Sequence, residues 1–153
     1  NLPAELPDFP GTLLMDFVNP MFSGITFTVM FPNLMVTQAP MTVTMDIKPG
    51  STPNSVNPYS KGKVPVAILT AETFDATQVD WETVLFGPGG ATESHGRAHV
   101  KDVDDDGDMD LVLHFNTQDT GIQCGDIEAT LTGETFSGLL IRGSDAINTV
   151  RCR

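Results

Sequence analysis

Residues 102–110, DVDDDGDMD, hold six aspartates and lead directly into the apolar run LVLHF. Carboxylates packed this closely repel one another, so a folded chain needs something that offsets the repulsion. The side chains at 102, 104 and 106 alternate, and Gly107 permits a sharp turn, as in the first half of a calcium-binding loop. The pattern therefore predicts a Ca²⁺ site, and it predicts that folding is linked to calcium binding.

The predicted site takes three carboxylates in alternation, then a backbone carbonyl, then a further carboxylate that binds directly or through water. It is not an EF-hand, because Leu113 stands where that loop needs Glu and because strand-like segments flank it. We expect the ion to clamp a tight connection between two strands. A solvated acidic turn without an ion is the less favoured alternative, and so is Mg²⁺. The predicted ligands are Asp102, Asp104, Asp106, Asp108 and Asp110.

The segments around this loop predict an all-β chain. They are short, rich in alternating or β-branched residues, and bounded by Gly, Pro, Asn or Asp. No long window has a convincing helical period, and the most helix-like stretch, residues 70–84, is predicted to be a loop or a short turn. Spacing of this kind predicts a Greek-key, Ig-like β-sandwich. The predicted strands are TVTMDI, KVPVAILT, TVLF, RAHVKDV, DLVLHF, IEATLTG, GLLIRG and INTVRC.

Composition changes near residue 40. Six of the seven methionines and five of the nine phenylalanines lie in the first 45 residues, and the first basic residue is Lys48. We therefore divide the chain into a β-like apolar N-terminal arm, residues 1–40, and a calcium-binding β-sandwich module, residues 41–153. The arm supplies strands to the same sandwich, ends a preceding domain, or donates a strand to another copy of the chain.

The charge balance limits the partners. Twenty acidic residues face eight basic ones, for a net charge of −12, which opposes binding to nucleic acid or to an anionic membrane. The most apolar stretch, residues 21–36, is interrupted by polar residues and proline, so no membrane span is predicted.

The two cysteines, Cys124 and Cys152, predict a disulfide that closes a loop of roughly 28 residues and contributes about 3 kcal/mol in the chain-entropy model. Two buried free thiols are the alternative. Neither cysteine lies in a C-x-x-C pattern or beside a histidine, which argues against metal-thiolate or redox chemistry. A disulfide indicates an oxidising, extracytoplasmic location.

Motifs for catalysis are absent from the sequence: there is no nucleophile elbow, H-E-x-x-H, P-loop or dinucleotide fingerprint. We predict no catalytic residues and no enzymatic activity. His95 and His99 would lie about 13 Å apart on a strand, so a zinc site there is not favoured, although a turn would let them converge. His114 is expected to face outward. Trp81 is expected to be a half-buried loop anchor. Since Tyr59 is the only other large amphipathic aromatic residue, the chain has few rings for stacking sugars.

Long phrases of the core resemble a module that recurs in large secreted proteins of bacteria and some archaea. The resemblance covers nearly all of residues 43–152 and includes MDIKPGSTPNSVNP, HGRAHVKDVDDDGDMDLVLHF, TGIQCGDIEATLTGETFSG and GSDAINTVRC. It implies an extracellular module with no known enzymatic activity, and it carries over the acidic loop and both cysteines.

These observations predict a secreted or cell-surface structural module. Its expected role is that of a building block in a fibre, surface layer or large adhesin, polymerising by donation of an N-terminal strand. The expected partners are other copies of the chain or neighbouring surface-protein domains. The alternative is a carbohydrate- or matrix-binding module attached to a secreted hydrolase.

Overall fold

Ten β-strands and two 3₁₀ turns make up the regular structure of residues 38–153, the part of the chain that this computed structural model describes. The all-β prediction is confirmed. Apart from residues 38–40, the predicted arm lies outside the described residues. The strands are β1 Met41–Thr42, β2 Met45–Ile47, β3 Ser55–Val56, β4 Lys63–Ile68, β5 Val79–Phe86, β6 His99–Lys101, β7 Asp110–Asn116, β8 Glu128–Thr135, β9 Leu140–Ala146 and β10 Asn148–Thr149, and the 3₁₀ turns are Ala76–Gln78 and Thr117–Thr120.

Two four-stranded sheets pack around one core. Their strand orders are β1-β9-β8-β5 and β2-β4-β7-β6, and β3 pairs with β10 in a separate two-stranded sheet. Alternate residues of β4, β7 and β9 are buried in the core because successive side chains point to opposite faces. Across the sheets, the rings of Phe86 on β5 and Phe115 on β7 have centroids 5.0 Å apart, and both side chains are fully buried. The arrangement is β-sandwich-like, and its Greek-key, Ig-like subtype stays a prediction.

The first predicted strand, TVTMDI, serves both sheets instead of one. β1 pairs in parallel with β9, whereas β2 pairs antiparallel with β4 in the other sheet. At the crossover, the Val43 amide donates to the Arg142 carbonyl at 2.9 Å, and the Thr44 carbonyl accepts from the Leu69 amide at 2.9 Å. The crossing segment is therefore hydrogen-bonded to both sheets and ties their edges together.

The helix-like stretch 70–84 contains no α-helix. Asp75 caps a 3₁₀ turn by accepting a hydrogen bond from the Thr77 amide at 2.9 Å, and β5 then begins at Val79. The expectation of a loop or short turn is confirmed up to residue 78. Trp81 packs partly buried against the core, as expected, but it lies on β5.

A disulfide joins Cys124 to Cys152, as predicted, with the two Cα atoms 5.7 Å apart. It ties the segment between β7 and β8 to the residues that follow β10. Within residues 38–153, no helix has the length and apolar character needed to cross a membrane.

Candidate metal sites

The acidic loop connects β6 to β7, as the sequence predicts. Lys101 and Asp110 pair at the ends of these antiparallel strands, so residues 102–109 form the connection. The backbone adopts positive φ at Asp105 (60°) and at Gly107 (96°). No atom lies within 4 Å of a Cβ built on Gly107, so glycine is favoured there by the backbone conformation and not by a lack of space.

Three of the five predicted calcium ligands converge. Asp102, Asp104 and Asp106 each offer a carboxylate oxygen, and these oxygens all lie within 4.8 Å of one another. Asp104 and Asp106 are exposed and Asp102 is half-buried. The possible ligands are hard oxygen atoms on a loop that is exposed to water. Such a set suits Ca²⁺, which takes six to eight oxygens and tolerates irregular geometry.

Hydrogen bonds within the loop orient these carboxylates. The Gly107 amide donates to Oδ2 of Asp102 at 2.9 Å, and the Asp106 amide donates to its Oδ1 at 3.2 Å. The Asp108 amide donates to Oδ1 of Asp106 at 2.8 Å. The loop's own amides thus wrap the backbone around Asp102 and hold the carboxylates on the inside of the turn.

The cost of crowding the carboxylates is visible at Asp104. Partial desolvation, together with the negative charges of Asp106 and Asp110, raises the pKa of the Asp104 carboxyl above its usual value. Desolvation is the larger cause, and the contribution of the two neighbouring charges is the repulsion that the sequence predicts for the cluster. A bound dication acts in the opposite direction, because it favours the ionised form.

Asp110 is not part of the convergent group, and the structure gives it a role that the sequence did not predict. The side chain is fully buried. Its Oδ1 accepts a hydrogen bond from the Thr70 amide and its Oδ2 accepts one from the Val103 amide, each at 2.9 Å. Asp110 therefore braces the base of the loop. Asp108 is exposed and also lies outside the group, so the metal-ligand roles of Asp108 and Asp110 stay predictions.

Thr70 extends this brace into the rest of the module. Its hydroxyl donates to the Met109 carbonyl at 2.6 Å and accepts from the Ala76 amide at 2.9 Å. Ala76 begins the first 3₁₀ turn and is fully buried. The base of the acidic loop is in this way hydrogen-bonded to the connection between β4 and β5, at the margin of the core.

A second group of possible metal ligands consists of all three histidines of the chain. His95, His99 and His114 each offer a ring nitrogen within 4.8 Å of the other two. The ring centroids lie 4.4 Å apart for His95 and His114, 5.3 Å for His99 and His114, and 5.9 Å for His95 and His99. The separation of about 13 Å expected for two residues on one strand does not apply, because His95 lies in a turn before β6. The convergence that the sequence left open for a turn is what the structure has.

Glu93 and Ser94 fasten that turn across β7. Glu93 accepts hydrogen bonds from the His114 amide through Oε1 and from the His95 amide through Oε2, at 3.1 and 2.6 Å. The amide and the hydroxyl of Ser94 both donate to the His114 carbonyl at 2.8 Å. Partial burial would raise the pKa of Glu93, but the amides that donate to it lower the pKa below its ordinary value. Sequence analysis missed Glu93, because its role depends on contacts with a distant strand.

The histidines are partly withdrawn from water. His114 faces away from the core, as expected, but it is half-buried instead of open to solvent. His99 Nε2 and His114 Nδ1 are buried and have no hydrogen-bond partner among residues 38–153. Burial, and then the proximity of His95 and His99, lowers the pKa of His114 below its usual value. The neutral ring is therefore favoured.

Comparisons of this chain with protein-family models, with curated proteins and with solved structures find no match.

Proposed function

We propose that this chain is a non-enzymatic, calcium-stabilised structural module of an extracellular assembly, such as a fibre, a surface layer or a large adhesin. The observation that carries the proposal is the convergence of the Asp102, Asp104 and Asp106 carboxylates in one strand connection. The hydrogen bond between Asp110 and Thr70 supports the proposal further, because it connects the base of the loop directly to the margin of the core.

Calcium would stabilise the module by mass action. The unfolded chain does not hold three carboxylates in this geometry, so the ion binds the folded state preferentially. Free calcium at about one hundred times its dissociation constant would add about 2.7 kcal/mol to the free energy of unfolding. Extracellular calcium sites work at dissociation constants of about 10⁻⁴ to 10⁻³ M. The disulfide is also typical of oxidising compartments, so both features favour the same location.

Thermal unfolding in chelator and in calcium at about one hundred times its dissociation constant, which is roughly 10–100 mM for a site of that strength, tests the clamp. For a module of this size, about 2.7 kcal/mol corresponds to a rise in Tm of roughly 10 °C. The double substitution Asp104→Asn and Asp106→Asn should abolish the rise. Asp105→Asn is the matched control, because it removes one charge from the same loop outside the convergent group and because Asn tolerates positive φ. Identical melting of the wild-type protein in calcium and in chelator would refute the clamp.

The assembly half of the proposal rests on the apolar arm and on β1, the first strand that follows the arm in the sequence. The sequence predicts a strand at 24–31 whose apolar face consists of Ile25, Phe27, Val29 and Phe31. β1, which follows the arm, is the edge strand of its sheet among the described residues. A strand donated head-to-tail into another copy builds a filament when the contact does not close into a ring.

Sizing and electron microscopy of the full chain test assembly separately from calcium. We expect polymers for the wild-type chain and disassembly with Phe27→Glu. Thr26→Glu is the control, because it places the same charge on the opposite face of the predicted strand. A wild-type chain that stays monomeric sets strand donation aside and leaves the calcium clamp intact.

One surface feature favours the alternative of a carbohydrate- or matrix-binding module. Tyr59 is 64% exposed and lines a surface pocket with Asn57, Arg151 and Arg153. An exposed aromatic ring beside hydrogen-bonding side chains can stack on a sugar. A glycan array probed in calcium, with Tyr59→Ala as the comparison, tests this function. Silence of the wild-type protein on the array would eliminate it.

A further inference from the structure

We propose that His95, His99 and His114 bind a divalent transition-metal ion, with Zn²⁺ as the expected occupant. This site is separate from the acidic loop and does not depend on the function proposed above. It lies on the same pair of strands, β6 and β7, because His99 belongs to β6 and His114 to β7.

The donor atoms select the class of metal. Three imidazole nitrogens suit zinc, copper or nickel, whereas calcium and magnesium need oxygen ligands. Both cysteines of the chain are joined in the disulfide, so neither offers a thiolate that would compete for the ion. The chain can therefore sort two kinds of ion between two sites, hard dications at the aspartates and borderline ions at the histidines.

The three rings are brought together by backbone contacts that need no metal. His99 pairs with Val112 in the β6–β7 register, so His99 and His114 are diagonal neighbours on one face of the sheet. Glu93 and Ser94 hold the turn that carries His95 against the His114 backbone. A site whose ligands are already in place costs less ordering when the ion binds.

Buried ring nitrogens without partners supply the independent observation. Buried polar atoms are nearly always hydrogen-bonded, and one that is not incurs a desolvation penalty. His99 Nε2 and His114 Nδ1 have no partner among the described residues. Packing of the rings against one another does not satisfy a nitrogen lone pair. A metal ion does, because the unprotonated ring nitrogen is the atom that coordinates it.

The histidine group has one protein ligand fewer than a structural zinc site. Structural zinc has four protein ligands, whereas three protein ligands leave a position for water or for a donor from another molecule. His95 is exposed while His99 and His114 are half-buried, so the group is open to solvent on the side of His95.

Zinc titration of the full chain by calorimetry, in millimolar calcium, tests the proposal. We expect one Zn²⁺ per chain, and Co²⁺ in its place should give the visible absorption of a tetrahedral site. His99→Gln and His114→Gln should each weaken binding by at least about 100-fold, because loss of a supporting contact alone costs about 10- to 100-fold. The matched control Asp105→Asn, which lies outside both groups of possible metal ligands, should bind zinc like the wild-type chain.

The proposal would be overturned by no stoichiometric uptake, by uptake that survives the histidine substitutions, or by uptake that is lost with Asp105→Asn. Circular dichroism identifies a variant that fails to fold. In that event His95→Gln, at the exposed position of the group, replaces it and must give the same loss of zinc binding. In NMR spectra of the wild-type chain, the ring resonances of all three histidines must also shift with zinc for the site to stand.

Discussion

Replacing Asp110 should distinguish the contribution of the hydrogen bonds at the base of the loop from the contribution of the calcium site. Asp110→Ala removes the acceptors of two amides, those of Thr70 and Val103. An unsatisfied buried amide costs about 1–3 kcal/mol, so two cost about 2–6 kcal/mol. Because Thr70 and Val103 are half-buried, water reaches them in part once the carboxylate is gone, and we expect a loss of about 2–4 kcal/mol.

The expected loss corresponds to a fall in Tm of roughly 8–16 °C for a module of this size. Asp110→Asn keeps one acceptor oxygen, so it should lower the free energy of unfolding by about half as much. The side-chain NH₂ group of the asparagine cannot accept a hydrogen bond from the second backbone amide. The measurement is urea-induced and thermal unfolding by circular dichroism, each in calcium and in chelator. Asp108→Asn is the control from the same loop, and it should leave stability in chelator unchanged because Asp108 is exposed.

The comparison of the two conditions decides the role of Asp110. A brace acts whether or not calcium is bound, so Asp110→Ala should destabilise the protein in chelator as well as in calcium. Asp104→Asn should destabilise it in calcium only. If Asp110→Ala melts like the wild-type protein in chelator and differs only in calcium, then Asp110 is a metal ligand and the reasoning from its two hydrogen bonds is wrong.

Two further predictions concern the rest of the module. The double variant Cys124→Ala and Cys152→Ala should lower the free energy of unfolding by about 3–4 kcal/mol, because it opens a covalent loop of 28 residues. Urea titration measures the loss, and an unchanged midpoint of urea unfolding would contradict the entropic account. Partial burial and the charge of Asp145 raise the pKa of Asp46 above its usual 3.8, so ionised Asp46 destabilises the fold above its raised pKa, and this penalty disappears below 3.8. Asp46→Asn should therefore raise Tm at neutral pH, and the gain should vanish as the pH falls from the raised pKa of Asp46 to below 3.8. A gain in Tm of the same size in acid would rule out ionisation of Asp46 as its cause.

Local patterns in the sequence were sufficient to predict most of the strands and the acidic loop, but not β3 or the first half of β5. Alternation and turn residues mark most strands because a half-buried strand repeats every two residues. The D-x-D-x-D-G pattern predicts convergence of Asp102, Asp104 and Asp106 because the ligand geometry is contained within one loop. Both signals depend only on residues that are close together in the chain.

Features that depend on distant contacts were not predictable in this way. Alternation continues through the crossover at Val43, so the division of TVTMDI between two sheets is invisible in the sequence. The histidine group needs the register of β6 on β7 and the hydrogen bonds of Glu93, whose partner His114 lies 21 positions away. The brace at Asp110 likewise needs Thr70, which lies 40 positions away.

The disulfide determines how the described module would carry mechanical tension. A pull on residue 153 passes through Cys152 to Cys124, so β8, β9 and β10 lie within a closed covalent loop and off the load-bearing path. At about 3.3–3.6 Å per residue, a separation of 28 residues withholds on the order of 90–100 Å of extension from a stretched chain. Reducing agent should release that hidden length as a longer step in single-molecule force traces, so the bond limits how far each module yields under load.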